Sequence, residues 1–303
     1  MTQTTTSHTI GVIGLGIMGG AMSANLIKAG HTVVGFDVSP EAGARFTANG
    51  GRLLASAADV VRTAPVTITS LPSVKAFLAV YADLAQHAAQ DKLAGKILVD
   101  CCTMPIAIKE QALAGLAGTG AFMLDCPVSG TGAQAINKDL VVLGSGDQAA
   151  FEKARPVFEG MSRKQVYLGA FGKGSTMKFL ANHLVNIHNV AAAEAFTLAS
   201  KAGIDLNVVY DTLQDSAATS RMFQMRGPLM VADRYDNPSA HIDMFMKDLD
   251  IIGDFAAGLR CPVPLFSLAT QFYHAAQSQG LGAEDTAAVC RTLEALAGVK
   301  RAA

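Results

Sequence analysis

The clearest chemical pattern in the sequence is a glycine-rich segment near the N-terminus with the spacing Gly-x-Gly-x-x-Gly. Its members are Gly14, Leu15, Gly16, Ile17, Met18 and Gly19. The segment follows the apolar run 10–13 and opens a stretch of helical character. In that context the first glycine permits a tight turn, the second lets the backbone approach a pyrophosphate, and the third allows close helix–strand packing. The N–H groups at the helix start favour a phosphate, so the pattern predicts a dinucleotide-binding loop.

A carboxylate follows the second predicted strand, at the distance from the glycine-rich segment where such loops carry an acidic residue. Asp37 occupies this position, and Val38, Ser39 and Pro40 follow it without an arginine. A carboxylate there accepts hydrogen bonds from the adenosine ribose hydroxyls and repels a 2′-phosphate. We therefore predict NAD as the cofactor in preference to NADP.

A second polar segment, Ser129-Gly130-Thr131-Gly132, follows another predicted strand and is loop-like in composition. Its hydroxyls and backbone N–H groups suit a carboxylate ligand. On these residues alone, an ordinary polar turn is the simpler interpretation.

Lys178 and Asn182 are four residues apart in a segment of helical character, and so lie on one helix face. Apolar residues surround them, and a partly desolvated lysine near a helix start is expected to have a lowered pKa. Such a lysine can exchange a proton with a substrate oxygen, but an isolated lysine at a helix start is more often solvated surface. The residues before Lys178 do not form a phosphate-binding Walker loop. Around Gly172-Lys173, Tyr167 stands where that loop needs its first glycine, and Gly174 stands where it needs serine or threonine.

These residues must be positioned by an α/β fold. Seven short apolar runs are typical of strands: 9–13, 32–36, 66–69, 96–99, 121–124, 140–143 and 165–168. Predicted helices alternate with them at 18–29, 40–49, 73–87, 106–117 and 148–159, which indicates a parallel sheet covered on both faces. Later segments are helical only: 175–202, 206–214, 221–232, 245–258, 264–279 and 283–297. We predict a Rossmann-type dinucleotide-binding domain over 1–170, joined by the long helix to an all-helical substrate and oligomerisation domain over 171–303.

The composition excludes several classes of protein. Half of the 303 residues are hydrophobic, 16% are charged and the net charge is −1, so no bulk field attracts nucleic acid or an anionic membrane surface. The N-terminus lacks a signal-peptide pattern, and no apolar run is long enough for a membrane span. Five cysteines without Cys-x-x-Cys spacing are typical of buried thiols in a reducing compartment, and no metal motif is present. We expect a cytoplasmic enzyme without a bound metal.

Taken together, the motifs resemble those of the β-hydroxyacid dehydrogenase family, and the resemblance covers nearly the whole chain. It extends from the glycine-rich segment through Leu71-Pro72, Asp100-Cys101-Cys102-Thr103, the segment 125–132, the helix start 172–182 and Met246-Lys247-Asp248-Leu249. The resemblance implies that Lys178 is the general acid/base, and that Lys247 lies near the nicotinamide. It also implies that Leu71, Pro72 and Thr103 bind the cofactor, and that Ser129, Gly130, Thr131 and Asn182 contact the substrate. A 6-phosphogluconate dehydrogenase-like C-terminal domain and a homodimer or homotetramer are implied as well.

The expected reaction is reversible hydride transfer between a small 3-hydroxy acid and NAD. The acid resembles 3-hydroxyisobutyrate, or a four-carbon sugar acid such as threonate, because the stretch 220–230 is similar to family members that use the latter. The sequence departs from the family at Thr131, Gln134 and Lys138, where glycine is usual. Two alternatives stay open: an NADPH-dependent reductase of a semialdehyde or glyoxylate, and a redox-inactive nucleotide-binding scaffold. The absence of Tyr-x-x-x-Lys argues against a short-chain dehydrogenase site.

Overall fold

The computed structural model describes residues 7–88, 93–236, 238 and 240–301. The chain divides into two compact units, Met1–Lys178 and Phe179–Ala303. The division falls inside a long helix, and the domain boundary at 170–171 stays a prediction.

The first unit is built on a six-stranded parallel sheet in the order β3-β2-β1-β4-β5-β6. Its strands are β1 (Thr9–Ile13), β2 (Thr32–Phe36), β3 (Arg52–Leu53), β4 (Val66–Thr69), β5 (Ile97–Asp100) and β6 (Phe122–Asp125). The connecting helices are α1 (Ile17–Lys28), α2 (Pro40–Ala48), α3 (Ala57–Thr63), α4 (Val74–Ala88) and α5 (Ile106–Gly115). The strand order reverses between β1 and β4, and in Rossmann-type sheets ligands bind at this point.

Both faces of this sheet are buried, as the apolar runs predict. Along β1, the side chains of Ile10 and Val12 lie in one hydrophobic core, and Ile13 lies in the other. On β5, Val99 joins the first core and Leu98 the second. This alternation is the pleat of a strand whose two faces are both covered by helices.

The expectation of a single parallel sheet is wrong for the last two predicted strands. A three-stranded sheet contains β7 (Val128–Ser129), β8 (Val141–Gly144) and β9 (Lys164–Tyr167), and β7 pairs antiparallel with β8. The short helix α6 (Gly132–Ile136) connects β7 to β8, and a short connection of this kind is compatible with antiparallel pairing. Helix α7 (Gln148–Met161) follows β8. A bridge between Asp125 and Ser145 joins the ends of β6 and β8.

The second unit is helical in the residues that the structure describes. Helix α8 (Lys173–Lys201) begins in the first unit, and α9 (Leu206–Leu213), α10 (Arg221–Ala232), α11 (Ile242–Gly258), α12 (Pro264–Ser278) and α13 (Val289–Leu296) follow. The helix predicted over 283–297 is wrong at its start. Asp285 forms an ion pair with Arg226 and accepts the Ala287 N–H at 3.0 Å, so a short 3-10 turn, Thr286–Ala288, precedes α13. In the described part of the chain, no helix is long and apolar enough to cross a membrane.

Candidate active site

The glycine-rich loop follows β1 at the carboxyl edge of the parallel sheet, and its first and third glycines are required by packing. Gly14 has a φ of +89°, and a Cβ there would lie 2.2 Å from the Ser70 carbonyl oxygen. A Cβ on Gly19 would lie 1.8 Å from the Gly14 carbonyl oxygen. No side chain fits at either position, so the tight turn and the close approach of α1 account for both glycines.

Gly16 has a different environment from Gly14 and Gly19. It is the N-cap of α1 with a φ of −65°, and a Cβ there would meet nothing within 4 Å. The fold therefore does not need a glycine at this position. The open space lies at the first turn of α1, where backbone N–H groups have no intrahelical acceptor. A pyrophosphate fits this cradle, because its oxygens can accept those N–H groups only where the backbone carries no side chain.

The other members of the loop differ in burial. Leu15 is buried, Ile17 is 59% exposed and Met18 packs against the hydrophobic core of the sheet. Asp37 closes the loop from the end of β2. Its Oδ2 accepts the Leu15 N–H at 2.6 Å, and its Oδ1 accepts the Ser39 N–H at 2.8 Å. Two backbone groups thus fix the carboxylate beside the glycine-rich loop.

The two later predicted cofactor segments leave the same edge of the sheet. Leu71 and Pro72 follow β4, and Thr103 follows β5. The Leu71 N–H lies 3.1 Å from the Cys102 Sγ, which joins the two segments. Leu71 and Thr103 are half-buried and Pro72 is exposed. The structure therefore brings four segments together around the point where the strand order reverses.

Residues 129–131 do not form the loop that their composition suggests. Ser129 ends β7, Gly130 has a φ of +141°, and Thr131 is the N-cap of α6. Thr131 and Gln134 form a reciprocal capping box. The Gln134 Oε1 accepts the Thr131 N–H at 3.0 Å, and the Thr131 Oγ1 accepts the Gln134 N–H at 3.4 Å. The Thr131 N–H is therefore already bonded, whereas its hydroxyl keeps a hydrogen to donate.

Lys178 lies near the start of α8 and is 8% exposed. Asp125, which no pattern in the sequence marked as functional, anchors this helix start. Its Oδ2 accepts the Ser175 N–H at 2.8 Å, and its Oδ1 accepts the Ser175 hydroxyl at 2.7 Å. A Cβ on Gly174 would lie 2.3 Å from the Leu143 carbonyl oxygen, so the backbone approaches the sheets closely here. The lysine thus stands on a helix turn that is fixed by a buried carboxylate.

Asn182 and Lys247 belong to the second unit, where Asp248 contacts both. The Asn182 Nδ2 donates to the Asp248 Oδ2 at 2.9 Å, and the Lys247 Nζ lies 3.2 Å from the Asp248 Oδ1. Sequence reasoning missed Asp248, although it lies inside the Met-Lys-Asp-Leu motif. The bond to its carboxylate determines which way the Asn182 amide faces, because only the amide nitrogen can donate to a carboxylate.

The cysteines and the possible metal ligands are further candidates for chemistry in the part of the chain that the structure describes. Cys101, Cys102 and Cys126 are buried, and burial raises the pKa of each thiol well above its usual value, so they are poor nucleophiles. Cys290 is also buried, but Cys261 is exposed, so the expectation of buried thiols is wrong there. Among the described residues, no group of three or more His, Cys, Asp and Glu side chains is arranged to hold a metal ion.

Comparisons with known families agree with this arrangement of elements. The model described as the NAD binding domain of 6-phosphogluconate dehydrogenase matches residues 9–169. The model described as NAD-binding of NADP-dependent 3-hydroxyisobutyrate dehydrogenase matches residues 172–293. Both descriptions concern binding of a nicotinamide dinucleotide, and together they span nearly the whole chain.

Comparisons with individual proteins point in the same direction. The chain is similar to an L-threonate dehydrogenase of Cupriavidus necator, with 35% identity over 286 residues, covering 94% of this chain and 96% of the relative. A chloroplastic glyoxylate/succinic semialdehyde reductase 2 of Arabidopsis thaliana is 30% identical over 287 residues, covering 94% of this chain and 79% of that protein. The crystal structure of a 3-hydroxyisobutyrate dehydrogenase from Salmonella typhimurium superimposes with a TM-score of 0.83 at 32% identity, covering 94% and 99% of the two chains.

Proposed function

The chain belongs to the β-hydroxyacid dehydrogenase family, as its motifs predict, and we propose that it is an NAD-dependent dehydrogenase of a small 3-hydroxy acid. The observation that carries the proposal is the burial of Lys178 at the start of α8, on a turn anchored by Asp125. A buried lysine near reacting atoms exchanges protons more readily than a solvated one.

Each part of the chemistry is assigned to residues of this chain. NAD, when bound, accepts the hydride that leaves the alcohol carbon. In oxidation, the neutral Lys178 Nζ takes the proton of the substrate hydroxyl while the alcohol carbon loses its hydride and becomes a carbonyl. In reduction, the same nitrogen returns the proton to the oxygen. Proton transfer of this kind contributes about 10²–10⁴-fold to the rate.

We assign the substrate carboxylate to the residues that end β7 and begin α6. Because the Thr131 N–H is bonded to Gln134, the donors for the carboxylate are the hydroxyls of Ser129 and Thr131 and the Gly130 backbone. Asn182 orients the substrate hydroxyl through its Oδ1, since its amide nitrogen is bonded to Asp248. Lys247 would contact the nicotinamide end of the cofactor, as the resemblance to the family implies.

The cofactor is NAD rather than NADP in this proposal, because Asp37 is held beside the glycine-rich loop. A carboxylate fixed by two backbone N–H groups repels a 2′-phosphate. The isosteric variant Asp37→Asn is expected to lower the ratio of kcat/KM for NAD to that for NADP by about tenfold or more, the loss of roughly one charged hydrogen bond. Asp147→Asn is the matched control, since Asp147 also accepts a backbone N–H at a helix start, from Ala150 at 2.7 Å. An unchanged ratio in Asp37→Asn contradicts the assignment.

The reaction is tested by a panel of small acids assayed through NADH absorbance. The panel contains 3-hydroxyisobutyrate, threonate, other small hydroxy acids, glyoxylate and succinic semialdehyde, each with both cofactors. We expect oxidation of at least one 3-hydroxy acid with NAD. Turnover confined to glyoxylate or the semialdehyde with NADPH would favour the reductase, the activity named for the Arabidopsis relative. NADH binding without turnover of any acid would favour a redox-inactive protein.

We also propose a homodimer or homotetramer in the cytoplasm. Leu180, Leu184 and Leu198 on α8 are at least half exposed, which supports burial of this helix in an assembly. The unpaired cysteines support a reducing compartment. Light scattering tests the assembly, and a monomer at every concentration would contradict it.

A further inference from the structure

A buried cation that the proposed reaction does not use lies behind the cofactor loops. Lys109 on α5 is 0% exposed, and its Nζ lies 2.8 Å from the Asp100 Oδ2 and 2.7 Å from the Asp125 Oδ1. Both carboxylates are also 0% exposed. The Lys109 Nζ donates a further hydrogen bond to the Cys102 carbonyl oxygen at 2.7 Å. Burial alone would lower the pKa of Lys109, but attraction to the two carboxylates outweighs burial and raises the pKa above its usual value.

The partners of Lys109 lead to two different parts of the site. Asp125 holds the N–H and the hydroxyl of Ser175, three residues before Lys178 on α8. Asp100 ends β5, and the Cys102 carbonyl lies in the segment that follows it and carries Thr103. Asp100 is fixed in turn, because its Oδ1 accepts the Thr69 hydroxyl at 3.0 Å and the Cys102 N–H at 3.1 Å. One ammonium group therefore bonds both the cofactor segment and the anchor of the helix start.

The charges of this triad, Asp100–Lys109–Asp125, are not balanced by the lysine alone. Two carboxylates and one ammonium leave one negative charge in a fully buried place. The start of α8 supplies the compensation, since N–H groups at a helix N-terminus favour an anion. Without Lys109, the carboxylates of Asp100 and Asp125 would face each other in the interior, where like charges repel strongly. This repulsion would disturb the bonds that Asp125 makes to Ser175.

We propose that Lys109 is a positioning residue of the dehydrogenase site. Lys109 holds Asp125, the anionic anchor of α8, and the Cys102 carbonyl in place. It thereby fixes Lys178 relative to the segment that carries Thr103. The inference rests on the proposed function, since it assigns a purpose to the position of Lys178. A buried ion pair that served stability alone would not need to bond both segments.

Three variants remove successive parts of this arrangement: Ser175→Ala, Asp125→Asn and Lys109→Met. Displacement of a reacting group by about 1 Å lowers the rate by about 10²-fold, so we expect a kcat loss of this order in Lys109→Met and Asp125→Asn. Ser175→Ala removes only the hydroxyl, so its loss of kcat is expected to be smaller. Its affinity for NADH is expected to stay that of the wild type. Glu294→Gln is the matched control, because it neutralises a buried carboxylate paired with Arg301 in the other compact unit, and its kcat is expected to be unchanged.

The effect on kcat, compared with the effect on cofactor binding, separates positioning from a general loss of packing. In Asp125→Asn the kcat is expected to fall while the affinity for NADH stays near that of the wild type, because Asp125 bonds the start of α8. A general loss of packing would weaken NADH binding as well.

Hydrogen exchange of the folded variants gives a readout that does not depend on turnover. The amides of Gly174 and Ser175, which donate to Ser145 and Asp125, are expected to exchange faster in Lys109→Met and Asp125→Asn than in Glu294→Gln. A wild-type protein without dehydrogenase activity overturns the proposed function, and faster exchange would still support the anchor. Normal exchange together with wild-type kcat in folded Lys109→Met overturns the positioning role. A loss of NADH affinity in Asp125→Asn as large as its loss of kcat overturns it as well.

Discussion

Substitution of Gly16 by alanine separates what the glycine-rich loop does for the fold from what it does for the ligand. The structure shows that a Cβ is impossible at Gly14 and Gly19, where it would lie 2.2 and 1.8 Å from carbonyl oxygens. At Gly16 a Cβ meets nothing within 4 Å, and the φ of −65° suits alanine. Gly16→Ala therefore tests whether the open space at the start of α1 is a binding site.

The expected effect on stability is small because two contributions oppose each other. Alanine lowers the entropy of the unfolded chain, which stabilises the fold by about 0.4–1 kcal/mol. Alanine is also a poorer N-cap than glycine, at a cost of roughly the same size. The free energy of unfolding is thus expected to change by less than about 1 kcal/mol. Gly19→Ala must displace backbone, and overpacking of this kind costs about 1–3 kcal/mol or more.

The expected effect on cofactor binding is large. A methyl group at Gly16 keeps the pyrophosphate from the backbone N–H groups, and one lost hydrogen bond to a charged group costs about 1.5–3 kcal/mol. Since about 1.4 kcal/mol corresponds to a tenfold change in affinity, NADH should bind about 10–100-fold more weakly. Fluorescence titration with NADH measures the affinity, and thermal unfolding measures the stability.

Gly115→Ala is the matched control, because Gly115 lies at the end of α5 with nothing within 4 Å of its Cβ position and has no role in the site. It is expected to change neither affinity nor fold. Wild-type affinity for NADH in Gly16→Ala would refute the assignment of the open space to the pyrophosphate.

Three further predictions concern stability and the start of α8. Burial and the neighbouring His8 lower the pKa of His31 in the folded state, so the unfolded state binds this proton more tightly. The free energy of unfolding is therefore highest above about pH 6.5 with respect to this group, and it falls as the pH drops below that value. Melting temperatures should fall less in this window for His31→Gln than for the wild type, and equal losses would contradict this. Gln134→Ala removes half of the capping box and should lower the free energy of unfolding by about 1 kcal/mol in denaturant titrations, and no change would contradict a stabilising cap. Gly174→Ala places a Cβ 2.5 Å from the Asp125 carbonyl oxygen, so melting temperature and kcat should both fall, and wild-type values for both would show that the close approach is not needed.

Much of the sheet architecture follows from the sequence because local periodicity and long-range packing agree there. The runs at 9–13, 32–36 and 66–69 form strands with the predicted bounds. The glycine spacing and Asp37 lie together at the carboxyl edge of the sheet, since parallel strands place such segments side by side. The family, and with it a nicotinamide dinucleotide as cofactor, is confirmed by the comparisons.

Two kinds of feature could not be predicted from the sequence. They are very short elements and contacts between residues that are distant along the chain. Strand β7 and helix α6 have two and five residues, too few for a periodic signal. Lys109 and Asp125 are 16 residues apart, and only the fold brings them together. The sequence contains one sign of this buried ion pair. Lys109 lies on the same helix face as Ala112 and Leu116, which are buried. A lysine on an apolar helix face requires a buried partner.

Two lysines on one helix allow a direct comparison that tests the role of Lys178. Lys178 is buried, whereas Lys173, five residues earlier on α8, is exposed. With the acid that the panel identifies, Lys178→Met should lose about 10²–10⁴-fold in kcat while NADH binding and melting temperature stay near wild type. Lys173→Met should keep the wild-type kcat. Near-normal kcat in a folded Lys178→Met protein that still binds NADH would contradict the role of Lys178 as the general acid/base.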